Sequence, residues 1–220
     1  MSRCAVVAAR SDTRDDRQHQ RRSARREANR AEILDAAELV FGRDGLHNGS
    51  MRAIAAESGF STAAIYLFFE NRQELVSETI TRRGDELMAL LATTVVKSAD
   101  PLMALHAIVD VTLDFFTTQQ NFRRMLRHMR GGLAIVGPSL SEFSSSPMED
   151  RFSAAQKLLT EVVASGQSEG AIRPADPRAI AHLYMVLVNE YVYLNTDSSI
   201  GLAAREFHAI IDGVLSPTPE

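Results

Sequence analysis

The stretch Ile54 to Phe69, IAAESGFSTAAIYLFF, breaks an alanine-rich apolar run at Glu57-Ser58-Gly59-Phe60-Ser61 and restarts at once with small and aromatic residues. Gly59 supplies the permissive backbone that a tight turn needs, and Ser61 can cap a new helix through its hydroxyl. Phe60 is placed to plug the angle between the two helices. The break therefore predicts a helix-turn-helix, in which two short helices meet at an angle and a longer one supports them.

Working outward, Ile33, Ala37, Val40 and Phe41 recur at helical spacing over roughly Ala28–Arg43, with Gly45 as the stop. Ser50 is a candidate N-cap before Met51, Ile54 and Ala55. These segments predict a trihelical unit with Phe41, Ile54, Phe60, Ile65 and Phe69 as its core. Helical periodicity continues over Asn71–Val96, from Pro101, over Phe122–Ile135, and near Met148–Ser165, Asp176–Leu194 and Ser199–Leu215. "GPSLSEFSSSP", Gly137 to Pro147, reads as a loop by composition, and no period-two runs suggest strands. The expected fold is all-α: a helix-turn-helix domain over residues 27–72 and a larger helical domain over 73–220.

The formal net charge of -4 hides a gradient. Residues 1–30 hold nine arginines against Asp12, Asp15, Asp16 and Glu27, a net +5, so the remainder carries -9. A basic segment poor in apolar surface cannot offset its ordering entropy, and residues 1–26 read as a flexible arm able to meet a polyanion. The single cysteine, Cys4, provides neither a disulfide framework nor a thiolate metal cluster. No stretch approaches the ~18 apolar residues of a membrane span, and no signal core is evident at the N-terminus; the expectation is a cytoplasmic protein with no membrane partner.

In the second short helix Thr62, Ala63 and Ala64 are small enough for close approach to base-pair edges, where they can meet thymine methyls. Ser50, Arg52, Ser61, Tyr66 and Arg72 suit phosphate contacts, and Arg25, Arg26 and Arg30 stand where the basic arm joins the folded unit. From Arg30 to Leu75 the order R-x-x-IL-x-AA-x-x-x-F-x-x-x-G, then IA-x-x-x-G-x-S-x-x-x-IY-x-x-F, resembles the DNA-binding domain of the TetR-type bacterial repressors. The matching positions include Ile33, Leu34, Ala36, Ala37, Phe41, Gly45, Ser50, Ile54, Ala55, Gly59, Ser61, Ile65, Tyr66, Phe69, Arg72 and Leu75. Gly166 to Pro177, G-x-x-x-G-x-I-R-x-x-D-P, adds to the likeness. Leu67 departs from it, standing where histidine or another polar residue is common, and Arg72 replaces a usual lysine.

The resemblance implies an all-helical homodimer joined through the last two helices, a double-stranded palindromic operator, and a small effector in the larger domain. Two readers in successive major grooves would stand roughly 34 Å apart. Phe115, Phe116, Met125, Met129, Phe152 and Tyr184 are candidate lining residues for a mainly apolar effector, with Asn189 as a polar anchor in "YMVLVNEYVYL". His106, Asp110 and Asp114 invite a metal reading, but with Thr117 they read better as one solvated helix face; no metal or cofactor is expected. An enzyme is the competing class, against which the chain shows no nucleophile elbow, phosphate loop or Glu-x-x-His pair. A helical protein adaptor whose helix-turn-helix is merely structural is the other alternative.

Overall fold

The structure is a computed structural model that describes residues 3–129 and 146–217, with side chains described over 17–128 and 150–217. Among them the chain is helical throughout: α1 (Arg3–Asn48), α2 (Met51–Ser58), α3 (Thr62–Ile65), α4 (Arg72–Lys97), α5 (Pro101–Thr118), α6 (Gln120–Met129), α7 (Ser146–Ser168), α8 (Pro177–Thr196) and α9 (Ala204–Leu215). Helix starts follow local chemistry. Asn71, Asp100 and Asp176 cap α4, α5 and α8 by accepting from the backbone N–H of Glu74, Met103 and Arg178, and Pro101 and Pro177 occupy first-turn positions where no donor is lost. Gly45 interrupts the regular helix of α1 at φ 79°, a conformation that suits glycine.

The apolar stripes close into two cores. The first joins Ile33, Ala37, Val40 and Phe41 of α1 to Ile54, Ile65 and Phe69, and runs on through Leu75 and Ile80 into Phe115, Phe116, Phe122 and Met125. The trihelical core expected from the sequence is therefore present, with Phe60 half-buried at its edge. It does not stop at residue 72: the base of the larger domain belongs to the same packed body. The second core gathers Leu105, Ile108, Leu159, Val163, Ile180, Tyr184, Tyr191, Phe207 and Ile211. Leu87 and Leu113 touch both.

Three expectations need correction. Residues 1–26 are expected as a flexible basic arm, whereas α1 is helical from Arg3. Alanine and arginine favour helix, and a helix already anchored by Ile33 and Leu34 extends backwards without a new nucleation cost. The side chains of residues 17–28 are nonetheless exposed, although Arg26 reaches back to Leu67 O and the Phe68 ring. Secondly, α9 begins at Ala204 rather than near Ser199, because Asn195 accepts from the backbone N–H of Leu202 and holds that turn open. Thirdly, His106 is not on a solvated face. It is half-buried, its Nε2 lies 2.7 Å from Asp212 Oδ1 of α9, and its ring stacks on His208 at 4.5 Å. Asp110 faces His208 at 3.1 Å, whereas Asp114 and Thr117 are exposed as expected. Most of the Gly137 to Pro147 loop, and the end of the helix expected up to Ile135, lie outside the described residues.

Candidate nucleic-acid interface

Two serines set the geometry of the helix-turn-helix. Ser50 Oγ accepts from Ala53 N at 3.1 Å to start α2, and Ser61 Oγ accepts from Ala64 N at 3.1 Å to start α3. Between them Gly59 closes α2 in the left-handed region at φ 73°. Each hydroxyl keeps its own proton, so a capping serine can still donate to a phosphate oxygen.

The reader helix is shorter than the sequence suggests. Regular α3 ends at Ile65, and the chain continues in tighter turns, with Leu67 N donating to Ala64 O and Phe68 N to Ile65 O. Ile65 and Phe69 are pulled into the core, which leaves Tyr66 49% and Leu67 75% exposed. Ala63 is exposed and Thr62 and Ala64 are half-buried, so these positions lie with Tyr66 and Leu67 on the outer surface of the reader. Arg25 and Arg52 are exposed and bond to no acceptor among the described residues, leaving both free for phosphate oxygens.

The other three candidate arginines are engaged within the fold. Arg30 is half-buried in a two-pronged ion pair with Glu78 of α4 at 3.0 and 3.2 Å, and its guanidinium lies 4.7 Å from the Phe69 ring. Arg72 donates from Nε to Gly49 O at 3.0 Å and lies over Phe41, tying the start of α4 to the turn before α2. Arg26 reaches Leu67 O at 3.4 Å and lies over Phe68. Arg30 and Arg72 thus brace the reader from behind, and Arg26 steadies its far end. The Arg30 and Glu78 pair is 48 residues apart in sequence, and no local spacing announces it.

Behind the reader, Glu38 of α1 is 4% exposed and receives Arg83 Nε at 2.7 Å and Arg82 Nη2 at 3.5 Å, while Asp35 takes Arg82 Nη2 at 2.6 Å. Partial burial of Arg83 works against its charge, but hydrogen bonds to Glu38 and Glu86 outweigh that and raise its pKa. This clasp fixes α1 to α4. A second link runs through α6, whose Arg123 and Arg127 flank Asp197 at the end of α8 at 3.3 and 2.6 Å.

The candidate effector residues do not share one chamber. Phe115, Phe116 and Met125 are buried in the first core beside Phe122, whereas Tyr184 is buried in the second with its hydroxyl donating to Leu105 O. Burial, with Asp110 nearby, pushes the Tyr184 phenol well above its ordinary pKa. Phe152 and Asn189 are half-buried, and the side chain of Met129 lies outside the described residues. A cleft of about 260 Å3 opens instead between the α4–α5 turn and α7, lined by Val95, Asp100, Ala104, Leu158, Glu161 and Val162 among others and by none of the seven candidates.

Residues 33–79 match the model of the bacterial regulatory proteins of the tetR family. The chain is 26% identical over 171 residues to the uncharacterized HTH-type transcriptional regulator YfiR of Bacillus subtilis, covering 75% of this chain and 78% of that protein. It is 32% identical over 90 residues to the HTH-type nicotine-responsive transcriptional repressor HdnoR of Paenarthrobacter nicotinovorans, covering 41% of this chain and 44% of that one. In three dimensions it is similar to the transcriptional regulator FadR of Bacillus subtilis, in complex with stearoyl-CoA, with a TM-score of 0.66 at 16% identity over 84% of this chain and 94% of that one. With the capped helix-turn-helix in place and the family's model lying across it, residues 33–79 form a helix-turn-helix domain of the tetR family of bacterial regulatory proteins.

Proposed function

We propose that this protein is a homodimeric repressor, released from a palindromic operator when a small, mainly apolar molecule binds its larger domain. The observation that carries the dimer is on α8 and α9. Their inner faces bury Tyr184, Val188, Tyr191, Phe207 and Ile211, yet Leu183, Val186, Ile210 and Val214 remain 40 to 58% exposed on the outer faces. A second copy of the same two helices would cover them in a self-complementary contact. Two readers carried by such a dimer would present two half-sites.

The effector assignment is supported by the fold: FadR of Bacillus subtilis, which shares it, is in complex with stearoyl-CoA. Release would follow from linkage: a ligand that prefers a conformation with misplaced readers shifts the population away from DNA. The helix α4 is the natural lever, because it starts at the reader and runs the height of the second domain.

The test is selection of bound duplexes from a random pool at a fixed, near-physiological salt concentration, paired with the molar mass of the protein in solution. An enriched imperfect palindrome and a dimer mass are expected. Tyr66→Phe combined with Arg52→Ala should lose specific binding while keeping its helical circular dichroism. Specific binding retained in that variant would refute the reader surface, and a monomer that still selects a palindrome would refute the dimer contact.

A further inference from the structure

One exposed leucine needs no explanation on a protein surface. Leu67 differs because its backbone is held on both sides and because of what surrounds it. Its N–H donates to Ala64 O at 3.1 Å, and its carbonyl accepts from Arg26 Nη2 at 3.4 Å. The residues on either side of Tyr66 and Leu67 are fixed: Ile65 is fully buried, and Phe68 meets Phe60 edge to face with 6.3 Å between ring centroids. Leu67 is therefore presented, 75% exposed, from a backbone that cannot easily withdraw it.

From Phe60 to Phe69 no residue carries a charge or an amide. Bidentate reading of guanine needs arginine or lysine, reading of adenine needs asparagine or glutamine, and cytosine is read by a carboxylate. This reader has none of those groups. What it has is the hydroxyls of Ser61, Thr62 and Tyr66 and the methyl groups of Ala63, Ala64 and Leu67. The major-groove feature that matches an unpolar branched side chain is the C5-methyl of thymine, which only A·T and T·A pairs display.

We infer that Leu67 is a specificity-determining residue that selects thymine at one position of each half-site by packing against its C5-methyl group. The inference rests on the reader surface proposed above and extends it to a residue that makes no polar contact. Leucine reaches farther than alanine, so Leu67 addresses a base pair that Ala63 and Ala64 cannot touch. A polar side chain at that position would instead accept several bases through hydrogen bonds or water, so the apolar one narrows the choice.

The experiment is a thymine-to-deoxyuridine scan of the selected operator, measured with the wild-type dimer and with Leu67→Ala. Uracil pairs as thymine does and lacks only the methyl, so the scan isolates that contact. Loss of one buried methyl is expected to weaken wild-type binding about fourfold at the position facing Leu67 in each half-site. Leu67→Ala should bind more weakly overall and lose its sensitivity to deoxyuridine at that position alone, while thymines elsewhere in the half-site keep their effect. Because Leu67 is exposed, the variant is expected to melt as the wild type does. Equal sensitivity of both proteins at every thymine would overturn the inference and leave the DNA-reader assignment standing. A half-site without thymine would do the same. Failure of the wild type to enrich any duplex would refute the reader assignment itself.

Discussion

Among the described residues the seam between α1 and α6 is the most extensive helix contact, and Gly42 sits in it against the backbone of α6. A Cβ built on Gly42 would lie 2.5 Å from Asn121 O and 3.1 Å from its carbonyl carbon and Cα. Those are backbone atoms in the first turn of α6, so no side-chain rotation relieves the clash, which falls roughly 1 Å short of ordinary contact. Gly42→Ala has two opposed effects. Helix propensity favours alanine by roughly 0.5–1 kcal/mol, while overpacking a close crossing costs about 1–3 kcal/mol. The net expectation is a loss of about 1–2 kcal/mol, read as a melting temperature lower by several degrees in a chain of this size. Gly84→Ala on α4 is the matched control. Its nearest obstacle, at 2.7 Å, is Cδ of the Arg151 side chain, which can yield more easily than backbone. Thermal unfolding followed by circular dichroism decides between the two effects. A Gly42→Ala variant that melts at or above wild type would mean that propensity wins and that the helices are not this close.

Four further outcomes are expected. Ser50→Ala and Ser61→Ala should each cost about 1 kcal/mol in a urea titration through loss of a cap, and a cost near zero would remove the capping role. Glu38→Ala strands Arg83 among partly buried neighbours and should cost about 2–3 kcal/mol by the same titration, less than a fully buried pair because Arg83 is partly solvated and keeps Glu86; an unchanged midpoint would show that the clasp contributes nothing. Tyr184 makes stability pH-dependent on the alkaline side. Its phenol stays protonated in the fold above the ordinary value of 10.0, so its contribution is fully present below pH 10 and is lost as the unfolded chain ionises above it. Tyr184→Phe should flatten that alkaline slope, and an unaltered slope would assign it to other groups. Deleting residues 1–24, which removes six arginines and keeps Arg25, should weaken binding to all duplexes alike and reduce the salt dependence through loss of phosphate contacts; an unchanged salt slope would exclude the arm from the interface.

The reader was legible in the sequence because its determinants are local. A cap, a glycine turn and an apolar period act within four or five residues of each other, and Ser50, Gly59, Ser61, Ile65 and Phe69 occupy the places that their chemistry predicts. Arg30 and Arg72 show the limit. As isolated arginines beside a DNA-binding motif they suggest phosphate contacts; the fold delivers Glu78 to one and Gly49 O to the other across 48 and 23 residues. His106 was read as solvated for the same reason, since Asp212 is 106 residues away. The effector residues failed differently. Phenylalanine and methionine report burial, and burial alone does not say which of two cores receives a side chain, so Phe115 and Tyr184 went into one list and into two different cores.

Those long-range pairs also bear on how a signal would cross the molecule. Coupling needs elements that can occupy two discrete arrangements, and spatial proximity alone does not supply them. Here two rigid paths reach the reader from the larger domain. One is α4, clasped to α1 through Arg82, Arg83 and Glu38; the other is α6, pressed on α1 at Gly42 and held to the end of α8 by Asp197 between Arg123 and Arg127. Because both paths grip the same helix α1, one cannot move relative to the reader unless the other slides with it or its contacts break. The α6 path is thinnest at its far end, where its charges meet in one carboxylate, whereas Arg82 and Arg83 of α4 reach two carboxylates of α1, Asp35 and Glu38. In the proposed linkage, then, ligand-driven displacement should first loosen Asp197. Asp197→Asn, which keeps the shape and removes the charge, should lower operator affinity and ligand-induced release together, with helical content unchanged; a variant that binds and releases operator as wild type does would leave α4 as the sole lever.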